Sequence, residues 1–544
     1  MLELEADYVI VGGGSAGCVL ANRLSARPGI SVALIEAGGD ERPLHEPKQL
    51  QANLLCRMPG GFGQTLANPA VSWLYDTTPD AAGRIHRWPR GRVLGGSSAI
   101  NGLLWVVGAA ADYDGWAAMG ATGWDWASVA PAFAAVEAAV APSPCDEPQP
   151  VGDAILASFA ALGLAPLADP ARADRPGTGR FRRTIRRGRR ISAADAFLAP
   201  ARRRSNLRIL THALAHRVEF TAGRATGVSF DRGGLPGRAR ARREVILAAG
   251  SVGSPLLLER SGVGDPARLA ALGVPVVAAL PGVGANLQDH YMTGLQWRLR
   301  PGTPSLNTRA AGLALLGEVV RWLFAGRGLL AGGAAETVAF AHAPGQASTE
   351  PPALQFHMLA GSMDLDALGQ RQQWRLEAQP GVTLAPCVLR PFSRGHVHAV
   401  SADPRDPPAI APGYLADPRD LAALLAGMRL ARRVAATRPL ADLIDHPVRP
   451  DAGLGDSDEA LAAYVREVGS TLYHPVGTCR MGAADDPAAV ADPRLRVRGL
   501  SGLRVVDASV MPAIPSGNTN APTMMVAERA AGMILADRAE GRLA

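Results

Sequence analysis

The chain of 544 residues, 47% hydrophobic and 19% charged, has the balance of a folded globular protein and is too long for one ordinary core, so at least two domains are expected. Its formal net charge of +7 suggests a polyanion partner, but Lys48 is the only lysine and the arginines belong to a general Ala, Gly and Pro bias, which argues against nucleic acid. Five cysteines at 18, 56, 145, 387 and 479 form no CxxC pair, against a disulfide framework, a zinc module or an attached c-type haem.

No charged n-region with a cleavable apolar stretch opens the chain, and the expectation is a reduced, cytoplasmic, soluble protein. The first element read is a short apolar strand, Tyr8 to Val11. It runs into Gly12, Gly14 and Gly17 at GxGxxG spacing, followed by a helix with Cys18, Val19 and Leu24 on its apolar side. Such glycines permit a tight turn, close approach to a pyrophosphate, and helix–strand packing, while the helix start offers free N–H groups to phosphate. A second strand, "SVALIEAGG", ends at Glu36, whose carboxylate suits the hydroxyls of an adenosine ribose. Together these features indicate dinucleotide binding.

Further along, "APSPCDEPQP" at 141–150 is a loop or linker. The arginine run "RFRRTIRRGRR" at 180–190 is a solvated or locally paired segment leading to a helix N-cap at Ser192. A β-rich stretch from 207 to 232 precedes "REVILAAGSVGSPLLLERSGVG", an apolar strand turning at Ala249 and Gly250, with a new helix expected at Ser254-Pro255. This is the organisation of flavoproteins that carry a three-stranded insertion in a Rossmann-like domain. The segment at 312–326, "GLALLGEVVRWLFAG", is cut by Glu318 and Arg321, so peripheral contact with a membrane is the most it supports.

"STLYHPVGTCRMG" at 470–482 leaves three readings of His474: a metal site with Cys479, a core histidine, or an acid/base group beside a cofactor. Two ligands without a further Cys/His cluster make a metal the poorest of them, and no metal is expected. Pro475 fixes one backbone angle, and Gly477 permits a turn and close approach to a ring. "DHPVRP" at 445–450 repeats His-Pro-Val without Gly-Thr, so His446 is read as structural or exposed. His290, His357, His396 and His398 have no visible partner and take core or surface roles. A serine hydrolase is excluded by the lack of a GxSxG elbow in "GGSSAING" and "GSVGS".

Four blocks in order, 90–116, 250–264, 281–290 and 503–531, resemble the glucose–methanol–choline (GMC) oxidoreductases over nearly the whole chain. The resemblance implies an α/β (α+β) fold: a Rossmann-like FAD-binding domain plus a substrate-binding domain with an antiparallel sheet backed by helices. It implies a discontinuous FAD domain from 1–160, 185–290 and 465–544, with 161–184 and 291–464 forming the substrate domain. FAD contacts are implied for Gly12, Gly14, Ser15, Ala16, Gly17, Glu36 and Ala37, and for Arg92, Gly95, Gly96, Ser97, Asn101 and Gly102. Val218, Ala249, Gly250, Asp507, Ala508, Asn518, Thr519 and Asn520 complete the implied set. Some members attach FAD through a histidine where this chain has Ile100, so the flavin is expected to be non-covalent.

In that family's pattern His474 is the catalytic base and Asn518 its partner. The implied reaction is FAD-dependent oxidation of a primary alcohol to an aldehyde, choline-dehydrogenase-like, with O2 or a quinone-type carrier as electron acceptor. The alternative is a redox-silent, FAD-containing hydroxynitrile lyase. Glu336 matches a glutamate of choline-oxidising members, where it faces a quaternary ammonium, but a neutral primary alcohol is the default substrate. Tyr473, Trp73, Phe356 and Met358 are candidates for the pocket.

Overall fold

A computed structural model describes residues 2–42, 45–364 and 375–541. Four parallel strands, Leu207–Leu210, Val32–Ile35, Leu2–Val11 and Leu235–Leu247, lie side by side, with Leu503–Val505 pairing parallel to the last. Leu235–Leu247 continues antiparallel into Arg224–Arg232 and then Ala213–Thr221, which is the expected three-stranded insertion. The first strand begins well before Tyr8. Residues 2–6 pair with Gly237–Ala241 of the long strand, across a register shift between Ala6 and Tyr8. In Leu2–Ala6 polar and apolar residues alternate, whereas Tyr8–Val11 is buried on both faces and reads as a continuous apolar run.

The helix after Leu247 also begins earlier than expected, at Gly250, and runs to Arg260 with Pro255 inside it. The carbonyl that Pro255 leaves without its i+4 bond, that of Ser251, accepts from the Thr478 hydroxyl at 2.7 Å instead. Ser254 is a lock and not a cap: its hydroxyl donates to Asp507. At Ser192 the hydroxyl accepts from the Asp195 N–H at 3.1 Å while the Asp195 carboxylate accepts from the Ser192 N–H at 3.0 Å. These reciprocal bonds form a capping box in shape.

The second sheet is antiparallel, in the order Ile444–Arg449, Leu295–Leu299, Gly381–Val388, Leu354–Leu359, Thr337–Ala341, Gly177–Arg180. Helices Pro418–Ala435 and Asp458–Val468 back it, burying Leu424, Met428, Leu461 and Val465 against Leu295, Leu384 and Phe356. Helix Pro150–Ala161, placed with the first domain from sequence, joins this second core through Val151, Ile155 and Phe159. Two short strands, Tyr291–Met292 and Ser470–Thr471, pair antiparallel at the sheet's margin as Tyr291↔Thr471 and Met292↔Ser470. The fold is mixed α/β, a Rossmann-like sheet beside an antiparallel sheet backed by helices. Among the described residues no helix is long and apolar enough to cross a membrane.

Candidate active site

Every parallel strand of the first sheet except Leu207–Leu210 delivers its C-terminal end to one cavity of about 1070 Å³, at the top of the usual range for ligand pockets. Gly12 follows Val11, Glu36 follows Ile35, Ala249 and Gly250 follow Leu247, and Asp507 follows Val505. A Cβ on Gly17 would lie 1.9 Å from the Gly12 carbonyl oxygen, and one on Gly12 would lie 2.4 Å from that of Ala248. These two glycines therefore set backbone packing. Gly14 has only the Gly96 Cα near its missing side chain, at 3.8 Å, and faces the cavity.

Glu36 accepts from the N–H groups of Gly13 and Gly38, both at 2.7 Å, so its carboxylate also holds the glycine turn. Burial pushes its pKa up from the ordinary value, against those two hydrogen bonds. Ser15, Ala16, Ala37, Gly96, Ser97, Asn101 and Gly102 line the cavity, as do Ala508, Asn518, Thr519 and Asn520. Four expected contacts do not. Gly17 and Gly95 lie behind the wall, the latter donating its N–H to the Gly13 carbonyl. Arg92 stacks its guanidinium on Trp73, 4.4 Å from the ring centroid. Val218 is buried with its N–H given to the Ser261 hydroxyl at 2.8 Å; Ala213, Leu214 and Ala215 of the same strand reach the cavity instead.

At the far end of the cavity His474 is buried between two partners. Asn518 donates its amide N–H to His474 Nε2 at 3.0 Å, and His474 Nδ1 lies 3.0 Å from His290 Nδ1. His290 Nε2 is 3.0 Å from the Leu389 carbonyl oxygen. A carbonyl only accepts, so His290 carries its proton on Nε2 and presents a bare Nδ1. His474 must then donate from Nδ1, which leaves a lone pair on Nε2 aimed toward Asn518. Burial, with His290, His357 and Arg90 nearby, pulls the His474 pKa well below 6.5; His290 itself is pulled down to about 3, chiefly by burial. The site holds an unprotonated imidazole in one tautomer.

The backbone around it is equally constrained. Asp289 accepts from the His474 N–H at 2.7 Å and from the Thr471 and Tyr414 hydroxyls. Ser251, in the first turn of its helix, donates to the Pro475 carbonyl at 2.6 Å. Gly477 meets the Asn286 backbone and not the cavity: a Cβ there would lie 2.6 Å from the Asn286 oxygen. Arg90 ties the Ser97 turn to the segment that carries His474, donating to the Ser97 hydroxyl at 2.9 Å and to the Tyr473 carbonyl at 2.8 Å. Arg190, the last of the arginine run, is buried and donates to Asn101 Oδ1 at 2.7 Å and to the Cys56 carbonyl at 2.8 Å.

Of the histidines without a visible partner in the sequence, His290 is a core residue that meets His474, and His357 lines the cavity with an unpartnered Nε2. His446 is exposed and pairs with Asp445, and His398 pairs with buried Glu259. Tyr473, Trp73 and Met358 line the cavity, whereas Phe356 packs in the second core. Two features fit a flavin dinucleotide: the open face at Gly14, and the unpartnered buried atoms Asn518 Oδ1 and His357 Nε2 at the other end.

The models for GMC oxidoreductase match residues 6–292 and 391–527. An uncharacterized GMC-type oxidoreductase of Mycobacterium tuberculosis is 38% identical over 98% of this chain and 100% of its own. Human mitochondrial choline dehydrogenase is also 38% identical, over 97% of this chain and 90% of its own. Among solved structures, pyridoxine 4-oxidase from Mesorbium loti superposes with a TM-score of 0.83 at 28% identity, covering 98% of this chain and 99% of the other. A formate oxidase of Aspergillus oryzae carrying a point mutation gives 0.89 at 25%, covering 99% of this chain and 100% of the other. With dinucleotide turn, histidine–asparagine pair and whole-length similarity in agreement, the chain belongs to the GMC oxidoreductase family, as an FAD-dependent oxidoreductase that acts on alcohols.

Proposed function

We propose that this protein oxidises a neutral, apolar primary alcohol to its aldehyde, with non-covalent FAD and with His474 as general base. The observation that carries the reading is the bare Nε2 of His474, held 3.0 Å from the Asn518 amide. An alcohol oxygen brought within hydrogen-bond reach of both, in place of their direct contact, would give its proton to Nε2 and accept from the amide as negative charge develops. His474 keeps donating its Nδ1–H to His290 Nδ1 throughout, so the base keeps its orientation. FAD, when bound, supplies the two-electron acceptor for the hydride leaving the alcohol carbon. Gly12, Gly14, Glu36, Ala249, Gly250, Asp507 and Ala508 would hold its dinucleotide portion, and Gly96, Ser97, Asn101, Thr519 and Asn520 would surround its ring. In this reading 1–160, 185–290 and 465–544 form the cofactor domain, apart from the helix that packs on the second sheet, and 161–184 and 291–464 close over the substrate side.

A quaternary ammonium is a poor fit despite the choline dehydrogenase relatives. Glu336 does not line the cavity; it accepts from the Gln149 N–H at 3.1 Å and pairs with Arg180 at 3.2 Å. Trp73 already has Arg92 over its ring, which leaves that face closed to a ligand cation. Met292, Met358, Leu329 and Leu330 instead make the substrate side apolar.

Anaerobic addition of aliphatic and aromatic primary alcohols to the purified protein should bleach the flavin band near roughly 450 nm, while choline leaves it unchanged. Readmitting air then distinguishes O2 from a quinone-type acceptor. A band that no alcohol bleaches, together with cyanide release from mandelonitrile, would favour the lyase instead. Acid precipitation should leave all of the flavin in the supernatant, because Ile100 offers no nucleophile. Colour on the pellet would contradict non-covalent binding.

A further inference from the structure

Helix Gly312–Ala325 is built into the fold with its apolar side outward. Leu313, Leu316, Val320, Leu323 and Phe324 follow i, i+3, i+7, i+10 and i+11 spacing and are 86%, 62%, 55%, 64% and 88% exposed. The opposite side holds the helix in place. Buried Glu318 accepts from the Leu329 N–H at 2.7 Å and pairs with Arg309 at 2.6 Å, and Trp322 donates its indole N–H to the Gly188 carbonyl at 2.7 Å. A surface helix ordinarily turns such a stripe to the core, and contiguous exposed apolar patches mark interaction sites.

What surrounds the stripe identifies its partner. Gly188 is the turn of the arginine hairpin formed by Ile185–Arg186 and Arg189–Arg190, and its backbone abuts Gly326: a Cβ on Gly188 would lie 2.2 Å from the Gly326 oxygen. Arg186, Arg187, Arg189 and Arg327 are all exposed there. Among the described residues none of the four has a carboxylate partner; Arg186 reaches only the Val140 carbonyl, at 3.2 Å. The nearby acids are spent, Glu147 on Arg321 at 2.7 Å and Glu318 on Arg309. Helix Leu50–Arg57 touches the same hairpin and adds Leu54, 50% exposed. An apolar stripe rimmed by unpaired arginines is complementary to anionic headgroups over acyl chains. A symmetric pairing of two copies would set two arginine rims against each other.

We propose that this face docks the protein peripherally on an anionic lipid bilayer, with the stripe at the acyl boundary and the arginines on lipid phosphates. Ala311 and Leu315 on the inner side of this segment, with Leu329 and Leu330, line the cavity. Docking therefore puts the cavity's outer wall at the bilayer, where apolar alcohols and lipid-soluble electron acceptors concentrate. The docking itself does not depend on the alcohol chemistry.

The test is co-sedimentation of the FAD-loaded full chain with vesicles of phosphatidylcholine, with and without phosphatidylglycerol. The protein should pellet with the anionic vesicles, less with the neutral ones, and less as salt rises. Leu316→Gln, Leu323→Gln and Phe324→Gln together should lower the partition about tenfold or more on both. Arg186→Gln, Arg187→Gln and Arg189→Gln together should cost about tenfold on anionic vesicles only. Both variants should keep their flavin absorbance and their turnover of a soluble alcohol. Wild-type protein left in the supernatant, or apolar and arginine variants that pellet unchanged, would overturn the proposal. So would a lipid-free dimer dispersed by the apolar variant, which would assign the face to a second copy.

Discussion

Replacing His474 with alanine is expected to leave a yellow, folded protein whose alcohol turnover falls about 10²–10⁴-fold. The side chain lines the cavity between His290 and Asn518 and bonds to none of the residues of the dinucleotide turn, so its loss should remove the proposed base and leave that end intact. The pH profile of the unaltered protein provides a second check. Burial, followed by His290, His357 and Arg90, makes the imidazole harder to protonate than an ordinary one. It therefore stays unprotonated as pH falls through 6.5, and kcat/KM should stay level there. A base with the ordinary pKa of about 6.5 would have lost about tenfold by pH 5.5. Near-normal turnover in the alanine variant, or an acid limb centred at 6.5, would remove His474 from the role proposed for it.

Asn518→Ala should lower kcat and kcat/KM together, by about 10²–10³-fold, with the flavin retained. The argument rests on when the amide bond strengthens. Its N–H meets a neutral nitrogen lone pair in the resting site and would meet a developing alkoxide during reaction, so the interaction grows toward the transition state. Stopped-flow reduction of the flavin reads this directly, because it isolates the chemical step. A variant with raised KM and unchanged kcat would make Asn518 a ground-state binding group only.

Much of the cofactor end was legible because its parts are contiguous in sequence. A glycine turn, the strand before it and the acid after it lie within one short unit whose spacing is set by backbone geometry. The histidine pair was not legible. His290 and His474 meet across the pairing of two-residue strands, far too short to leave a periodic trace, and nothing local to "NLQDH" announces a partner 184 residues away. The arginine run divided against expectation for a similar reason. Alternation along its short strands turns Arg183 and Arg190 inward and leaves Arg186, Arg187 and Arg189 in solvent, and charge counting carries no facing. Val218 was displaced from the cavity because the insertion's strand is long, so a segment match fixed the strand but not the three residues that reach the wall. The helix start at Gly250 was hidden behind a proline that is usually a stop signal.

The two rungs Tyr291↔Thr471 and Met292↔Ser470 have a consequence for how this enzyme tolerates change. His290 immediately precedes one of the two strands and His474 follows the other by three residues, so the rungs work as an alignment pin for the two imidazoles. A one-residue slip would turn His290 away from its partner. Of the chain strung between them, roughly 293 to 469, Leu389, Tyr414 and Cys387 brace the pin through His290, Asp289 and Met292, whereas Leu329, Leu330 and Met358 line the cavity wall. On the reading proposed above, libraries aimed at new alcohols are best confined to such wall positions, leaving the three bracing residues and both histidines in register.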